Sequence, residues 1–288
     1  MLKEFILTIK KYSDLIKVES SNSWNSVNKN QNEPNIILDY LTQPNQGVDY
    51  LNNKVASKIT AETKYEMKFA SIYCHQKPRI QRTLENIKKC DGDNKTEQCE
   101  LGDLVIHFLL LDKDKKVQFS NAIILQAKIG NKPDNRTQQC LYENDDCLVF
   151  PNYFGQVNEI CELPKYEDNR AKALAYLFIN DDISIGQIPI ENNLVFSWSF
   201  VIQRLLTNDF GKAYNYSEKT YKNDWDKLIS KLIFNLSKSK LVKGKKRVNG
   251  LDVFLNKFNY YYYYPEYKLT VENEGLPTIM IIVRNKEK

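Results

Sequence analysis

The sequence lacks the features that mark a membrane-bound or secreted protein. No apolar run approaches the roughly 18 residues that a bilayer-spanning helix needs. The first residues do not follow the pattern of a basic stretch, an apolar stretch and a cleavage site that defines a secretory signal. These absences predict a cytoplasmic protein with no membrane partner, whose six cysteines are reduced thiols.

The sequence also lacks the short motifs of several enzyme classes. It contains no GxxxxGK(S/T) phosphate loop, no GxGxxG dinucleotide motif, no nucleophile elbow and no HExxH pair. No two cysteines have CxxC spacing and the chain has only two histidines, so the common zinc modules are not predicted. Nucleotide hydrolysis, dinucleotide redox chemistry, esterase chemistry and zinc proteolysis therefore have no support.

The composition is that of a folded chain. At 288 residues, 42% of them hydrophobic, it has enough apolar material for one large or two modest domains. Lysine and arginine outnumber aspartate and glutamate by 41 to 36, which gives a net charge of +5. This mild excess permits a polyanionic partner without requiring one.

Two neighbouring apolar segments organise the sequence. Residues 104–111 are almost unbroken apolar, residues 112–116 are polar, and residues 119–129 are apolar again. This pattern predicts a buried hairpin. Because strands without polar alternation are covered on both faces, the hairpin should lie in the middle of a sheet. The residues predicted to be almost fully buried are Leu104, Ile106, Phe108, Ile123 and Leu125.

Three polar residues interrupt this apolar pattern. Asp103 stands where the first strand begins, and Gln126 and Lys128 lie near the end of the second. Side chains alternate along a strand, so Gln126 and Lys128 share one face and Leu125 and Ala127 point to the other. If the hairpin pairs in register, Asp103 can meet Gln126 and Lys128. The alternative is that these are ordinary polar residues at strand ends.

The order helix, strand, strand, strand over residues 52–130, with Asp103 and a Gln126-x-Lys128 motif, resembles the PD-(D/E)xK nuclease superfamily. This superfamily includes restriction endonucleases and many phage-defence effectors. The HQKP, ELGD and QAK motifs also resemble an uncharacterised bacterial family. The resemblance implies an α/β fold with a central mixed sheet flanked by helices. It divides the chain into an N-terminal helix and polar linker (1–51), a nuclease-like core (52–185) and a C-terminal α+β extension (186–288).

The resemblance also implies a chemistry. The protein would be a Mg²⁺-dependent endonuclease, with Mn²⁺ as a substitute, that hydrolyses nucleic acid in bacterial defence or DNA processing. DNA is favoured over RNA as substrate, and the partners implied are a second copy of the chain or a defence complex. Asp103 and Gln126 would bind the metal, and Lys128 would face the attacking water and the phosphate.

The motif departs from the commoner pattern at Gln126, where Glu or Asp is usual. An amide oxygen can bind Mg²⁺ but brings no charge, so the affinity for the metal should be lower. Within the resemblance, a further carboxylate is expected to complete the site, and Glu62, Glu66 and Glu100 are the candidates. The rival hypothesis is a nuclease-like binding or sensor subunit of a defence complex without catalytic activity.

Other polar segments are candidates for substrate contact. His75, Lys77 and Arg79 surround the predicted end of the first strand and could bind a phosphate. The alternative interpretation is that these three residues form an ordinary solvated strand end. The basic segment 243–247 suits backbone phosphates and the tyrosine run 260–264 suits base stacking. A solvated loop and a half-buried strand explain these two segments equally simply.

Overall fold

The structure is a computed structural model. It describes residues 1–74, 79–91, 98–150, 159–215, 220–238, 240–243, 246–249, 270–271 and 276–287. In these ranges, no helix is both long enough and apolar enough to cross a membrane.

The helices fall into an N-terminal group and a set that alternates with strands. They are α1 (Leu2–Lys11), α2 (Ser13–Asn25), α3 (Glu33–Thr42), α4 (Gly47–Leu51), α5 (Ser57–Glu62), α6 (Leu84–Asp91), α7 (Arg136–Glu143), α8 (Arg170–Ala173), α9 (Trp198–Leu206) and α10 (Asp224–Lys238). A π-helical turn, Asn52–Ala56, joins α4 to α5.

The strands form a large sheet and a small one. They are β1 (Tyr65–Cys74), β2 (Arg79–Arg82), β3 (Gln98–Glu100), β4 (Leu104–Leu111), β5 (Val117–Ile129), β6 (Cys147–Val149), β7 (Ile160–Glu162), β8 (Leu174–Ile179), β9 (Ser184–Gln187), β10 (Val195–Ser197), β11 (Lys212–Ala213), β12 (Lys240–Lys243), β13 (Lys246–Asn249), β14 (Thr270–Val271) and β15 (Thr278–Asn285).

The large sheet is mixed and has the order β10-β9-β8-β5-β4-β15-β1-β14-β12-β13, with β11 paired to β5. Strand β5 pairs antiparallel with β4 and parallel with β8. Strand β15 is parallel to β4 and antiparallel to β1. The predicted α/β class, a mixed sheet flanked by helices, is therefore confirmed.

The predicted central hairpin is confirmed. Strands β4 and β5 pair with Leu104 opposite Leu125, and they lie inside the sheet between β15 and β8. The five residues predicted to form its core are all 0% exposed. Continuous apolar strands form here because both faces of the sheet are covered.

Each face of the sheet packs against a different layer. Leu104, Ile106 and Leu125 face a core built with the N-terminal helices and α9. Val105 and Ile124 face a second core, which includes residues of α7, α10 and the small sheet β3-β2-β6-β7. The alternation of side chains along each strand assigns successive residues to these two cores.

Several predicted boundaries are wrong. Within the predicted N-terminal helix and polar linker (1–51), the Ser- and Asn-rich residues 19–35 contain the end of α2 and the start of α3. The largely apolar residues 194–206 have the length of a single helix, yet they contain strand β10 before α9. In both places tertiary packing overrides local preference, since α2 and α9 bury Trp24 and Trp198 against each other at a ring-centroid distance of 5.6 Å.

The sheet also crosses the predicted boundary between core and C-terminal extension. Residues 185 and 186 fall inside β9, and β15 comes from the far end of the chain to lie between β1 and β4. Strand β15 therefore separates β1 from the hairpin. Pairings between distant segments of this kind leave no signal in a local sequence pattern.

The expectation of six reduced cysteines is wrong for one pair. Cys90 of α6 and Cys140 of α7 form a disulfide, with their Cα atoms 6.1 Å apart. Cys99, Cys147 and Cys161 are free in the described chain. Burial raises the pKa of the Cys99 thiol to about 12, which disfavours the reactive thiolate. The sequence gives no spacing rule that would pair residues 90 and 140, because the packing of α6 on α7 brings them together.

Reduction of this disulfide should destabilise the protein. The bond closes a separation of 50 residues, and a crosslink of this span typically contributes about 2 to 4 kcal/mol. Urea denaturation with and without dithiothreitol measures the difference. Cys90→Ser should no longer respond to the reductant, whereas Cys147→Ser should respond like the parent protein. An unchanged midpoint on reduction would contradict the disulfide.

His107 of β4 is a polar side chain inside the second core. It is 0% exposed, and in the described part of the chain neither ring nitrogen has a hydrogen-bond partner. Its ring lies edge-on to Tyr214 at a centroid distance of 5.8 Å. Burial lowers the pKa of His107 to about 3, so the folded protein holds this imidazole neutral.

His107 should make the protein sensitive to acid. Its pKa is about 3 in the folded chain against a usual value of 6.5, so the unfolded chain binds an extra proton between these pH values. The free energy of unfolding should therefore fall as the pH drops through this window, by up to about 1.4 kcal/mol per pH unit from this group. Urea melts of the parent and His107→Leu from pH 7 to 4 measure the difference in slope. Parallel slopes would refute this account.

Candidate functional site

Asp103 and Gln126 meet at the start of the central hairpin. Asp103 directly precedes β4, and its backbone N–H donates to Leu125 O at 2.8 Å. Its side chain accepts a hydrogen bond from Gln126 Nε2. Both residues are 1% exposed. The hairpin register thus brings together a carboxylate and an amide that are far apart in the sequence.

The Asp103 carboxylate is held by the backbone as well. Oδ2 accepts a hydrogen bond from the Ala127 N–H at 2.7 Å. A buried carboxylate needs such donors, because removal from water penalises its charge. These contacts fix Asp103 on the second core's face of the sheet, the face that Gln126 and Lys128 share by alternation.

The amide of Gln126 has an oxygen that suits a cation. Across the described residues, Gln126 Oε1 has no hydrogen-bond partner although it is buried. An orphaned oxygen beside a carboxylate matches the donor chemistry that Mg²⁺ prefers. The amide nitrogen now faces Asp103, so ligation of one ion by both residues requires the amide to turn and present its oxygen.

The number of acidic groups at this site is small. Among the residues that the structure describes, no group of three or more His, Cys, Asp or Glu side chains is placed to hold a metal. Mg²⁺ sites often use one or two carboxylates and complete their shell with water and substrate phosphates. The donor chemistry of Asp103 and Gln126 therefore fits a Mg²⁺ site with few protein ligands.

Lys128 lies two residues beyond Gln126 and has a charged partner outside the hairpin. It is 8% exposed, and its Nζ lies 3.0 Å from Oδ1 of Asp134. The ion pair with Lys128 lowers the pKa of Asp134. The structure thus places Lys128 on the predicted face, with its amine paired to the segment that leads into α7.

Helix α7 crosses this end of the sheet. Asp134, two residues before the helix, contacts Lys128, and at the other end the Tyr142 hydroxyl donates to Leu101 O at 2.9 Å. Burial, and secondarily the Asp103 carboxylate, raise the pKa of Tyr142 well above its usual range. Tyr142 therefore remains a neutral hydrogen-bond donor next to Asp103.

A buried arginine holds the end of α7 in place. Arg170 is 3% exposed, and it donates to the carbonyl oxygens of Leu141 and Tyr142, each at 2.7 Å. These are among the last carbonyls of the helix, which have no partner within it. The anchor on α8 thereby fixes the position of Tyr142.

Two residues of this region were missed from sequence. Gln138 lies one helical turn before Tyr142, and both are buried. Tyr176 of β8 stands opposite Gln126, with its ring centroid 5.5 Å from that of Tyr142. Within the described ranges, Gln138 Oε1 and the Tyr176 hydroxyl lack hydrogen-bond partners. The spacing of Gln138 and Tyr142 on one helical face was the available signal.

Of the candidate accessory carboxylates, Glu66 lies far from Asp103. Glu66 pairs with Arg284, which stands opposite Leu111 at the far end of β4. At about 3.3 Å per residue along the eight residues of β4, Glu66 is roughly 25 Å from Asp103. Glu62 ends α5, which packs beside β1. Glu66 cannot complete this site, because it belongs to the opposite end of the sheet.

Glu100 is nearer, but belongs to another sheet. It ends β3 and stands opposite Arg79 of β2, in the small sheet β3-β2-β6-β7. Arg79 is itself exposed. The predicted phosphate-binding residues His75 and Lys77 lie outside the described residues, as does the tyrosine run 260–264.

Comparison of the chain with protein-family models, with curated proteins and with solved structures found no match. The resemblance to the PD-(D/E)xK superfamily therefore rests on Asp103, the Gln126-x-Lys128 motif and the order of elements predicted from the sequence.

Gly102 is predicted to be essential for the packing around Asp103. A Cβ atom there would lie 2.6 Å from Ile124 Cγ2, 3.0 Å from the Tyr142 hydroxyl and 3.1 Å from Leu125 O. Gly102→Ala should therefore force the strand and α7 apart and cost about 1 to 3 kcal/mol. Chemical denaturation measures this cost. Gly130→Ala is a control for glycine replacement without a clash, since the described structure places no atom within 4 Å of its Cβ; its positive φ of 103° carries a separate backbone cost.

Gly102→Ala can lose stability through a clash with the Tyr142 hydroxyl or through clashes with Ile124 and Leu125. Tyr142→Phe distinguishes these two causes. It removes the hydroxyl that a Cβ at position 102 would meet, but leaves Leu101 O without this donor. The double variant should recover part of the stability lost in Gly102→Ala if the clash with Tyr142 matters. A Gly102→Ala protein as stable as the parent would contradict the close packing.

Proposed function

We propose that the protein is a divalent-metal-dependent nuclease that hydrolyses phosphodiester bonds, with DNA favoured over RNA. The observation that carries the proposal is the contact between Asp103 and Gln126, on the face of the sheet from which Lys128 also projects. Carboxylate, amide oxygen and ammonium are the groups that metal-assisted phosphodiester hydrolysis uses. A role in bacterial defence or DNA processing belongs to the same proposal.

Asp103 and Gln126 are the residues that would hold Mg²⁺, with Mn²⁺ as a substitute. A bound Mg²⁺ supplies a Lewis acid for the phosphate and a more acidic water. Asp103 contributes the negative charge of the site, and its hydrogen bond from Ala127 N holds the carboxylate in one orientation. Gln126 contributes a neutral oxygen, which leaves the affinity for the ion dependent on the substrate.

Lys128 stabilises the negative charge that develops on the phosphate during hydrolysis. An ammonium group in a largely water-excluded position interacts more strongly with a phosphate than it would in bulk water. Its 8% exposure puts it at the boundary between core and solvent. The role of Lys128 is therefore to bind a non-bridging phosphate oxygen and stabilise it as the water attacks.

The second candidate is a nuclease-like binding or sensor subunit without catalytic activity. The observation that favours it is the low charge of the site: Asp103 contacts the amide of Gln126, and among the described residues no group of three or more His, Cys, Asp or Glu side chains could hold a metal. Such a protein would bind nucleic acid and leave it intact. Incubation of plasmid, linear DNA and RNA with Mg²⁺, Mn²⁺ or EDTA separates the two candidates, since metal-dependent cleavage occurs only in the first.

Lys128→Ala is expected to abolish cleavage while the protein remains folded. Loss of one well-placed electrostatic group typically lowers the rate by about 100-fold or more. Lys212→Ala is a matched control, because Lys212 is also a largely buried lysine with an exposed aspartate partner. Initial cleavage rates and melting temperatures of the three proteins give the result. If Lys128→Ala cleaves like the parent, Lys128 has no catalytic role.

Gln126→Glu tests the metal without relying on activity. In the parent, Gln126 Nε2 donates to Asp103, whereas a glutamate would set two carboxylates against each other in the core. This variant should melt below the parent in EDTA and gain more than the parent from added Mg²⁺ or Mn²⁺. Asp103→Asn should lose the metal response. Equal responses in all three proteins would count against metal binding at Asp103 and Gln126.

A further inference from the structure

The ion pair between Lys128 and Asp134 joins a largely buried cation to an exposed anion. The lysine side chain is 10% exposed and the aspartate side chain 76% exposed, with 3.0 Å between Nζ and Oδ1. Asp134 therefore approaches Lys128 from the solvent side. A phosphate of a macromolecular substrate has to approach the ammonium group from the same side.

The segment that carries Asp134 is an irregular connection, unlike the regular strands of the hairpin. Residues 130–135 connect β5 to α7 and contain no regular secondary structure. The segment begins at Gly130, whose φ of 103° favours glycine, and no described atom lies within 4 Å of a Cβ placed there. It ends at Asn135, whose side chain caps α7 by accepting from Gln138 N. Asp134 is thus attached to a well-formed helix start but lies on an exposed connection.

The charge of Lys128 requires an anion nearby. A largely buried ammonium is costly without an opposite charge, and a carboxylate oxygen and a phosphate oxygen meet this need with the same geometry. Asp134 meets it in the structure. Because only 10% of the lysine side chain is exposed, an incoming phosphate and the carboxylate compete for the same approach to the ammonium group.

We propose that Asp134 occupies the phosphate position at Lys128 and must be displaced when a phosphate-bearing ligand binds. That the ligand is a phosphate rests on the proposed nuclease function. That Asp134 competes with this phosphate for Lys128 rests on the geometry of the ion pair. Asp134 is thereby a positioning residue that sets the affinity of the site for phosphate. It holds Lys128 in place without ligand and disfavours weakly bound anions.

A second lysine–aspartate ion pair of similar burial provides the control for a test of this competition. Lys212 Nζ lies 3.1 Å from Oδ2 of Asp168, with side-chain exposures of 13% and 66%. Lys212 stands opposite Ala122 of β5, away from Gln126. Asp168→Asn therefore removes the exposed anionic partner of the largely buried Lys212 and leaves the candidate site unchanged.

The experiment measures the binding of inorganic phosphate through the rise in melting temperature, at constant ionic strength and without divalent metal. Asp134→Asn should bind phosphate about fivefold more tightly than the parent, because the competing ion pair is gone. Asp134→Ser gives a second test with a smaller side chain. Asp168→Asn should bind like the parent, and Lys128→Met introduced into Asp134→Asn should remove the gain.

Two results would overturn the proposal. One is equal phosphate affinity in the parent, Asp134→Asn and Asp134→Ser. The other is a gain that persists when Lys128 is replaced, which would show that only the net charge matters. A parent protein that cleaves no nucleic acid would instead refute the proposed nuclease function. In that case a gain that depends on Lys128 still supports Asp134 as the competitor at an anion site.

Discussion

The antiparallel pairing of β4 with β5 is the contact on which the rest of the structure depends. It buries apolar side chains on both faces of the sheet, so each face must be covered by a separate layer of helices or strands. The same register sets Leu104 opposite Leu125, and so brings Asp103 beside Gln126. A shift of one residue would turn Gln126 and Lys128 to the other face.

Helix α7 is the second element that the candidate site requires. Asp134 joins its start to Lys128, Tyr142 joins its end to Leu101, and Cys140 links it to α6. Because α7 is held at both ends, the positions of the side chains between Asp134 and Tyr142 are restricted. The site is therefore a junction of three elements, the start of β4, the end of β5 and α7.

The electrostatics of this junction depend on burial more than on the number of charges. Asp103 is almost wholly buried yet accepts hydrogen bonds from a side chain and from the backbone, and Lys128 reaches its partner Asp134 at the surface. Among the described residues, no group of three or more His, Cys, Asp or Glu side chains is placed to hold a metal ion here. Under the proposed function, the affinity of this site for a metal would depend largely on oxygens that the substrate supplies.

The sequence by itself determined the α/β class, the central hairpin and the shared face of Gln126 and Lys128, because apolar runs and the two-residue alternation of strands are local properties. It could not decide that β15 enters the sheet beside β4, that Glu66 lies at the opposite end from Asp103, or that Cys90 joins Cys140. These depend on which distant segments pack together. The approach of Tyr142 and Asp134 to the hairpin was likewise fixed only when α7 packed across the sheet, since contacts between elements are selected by the whole buried surface and not by any one segment.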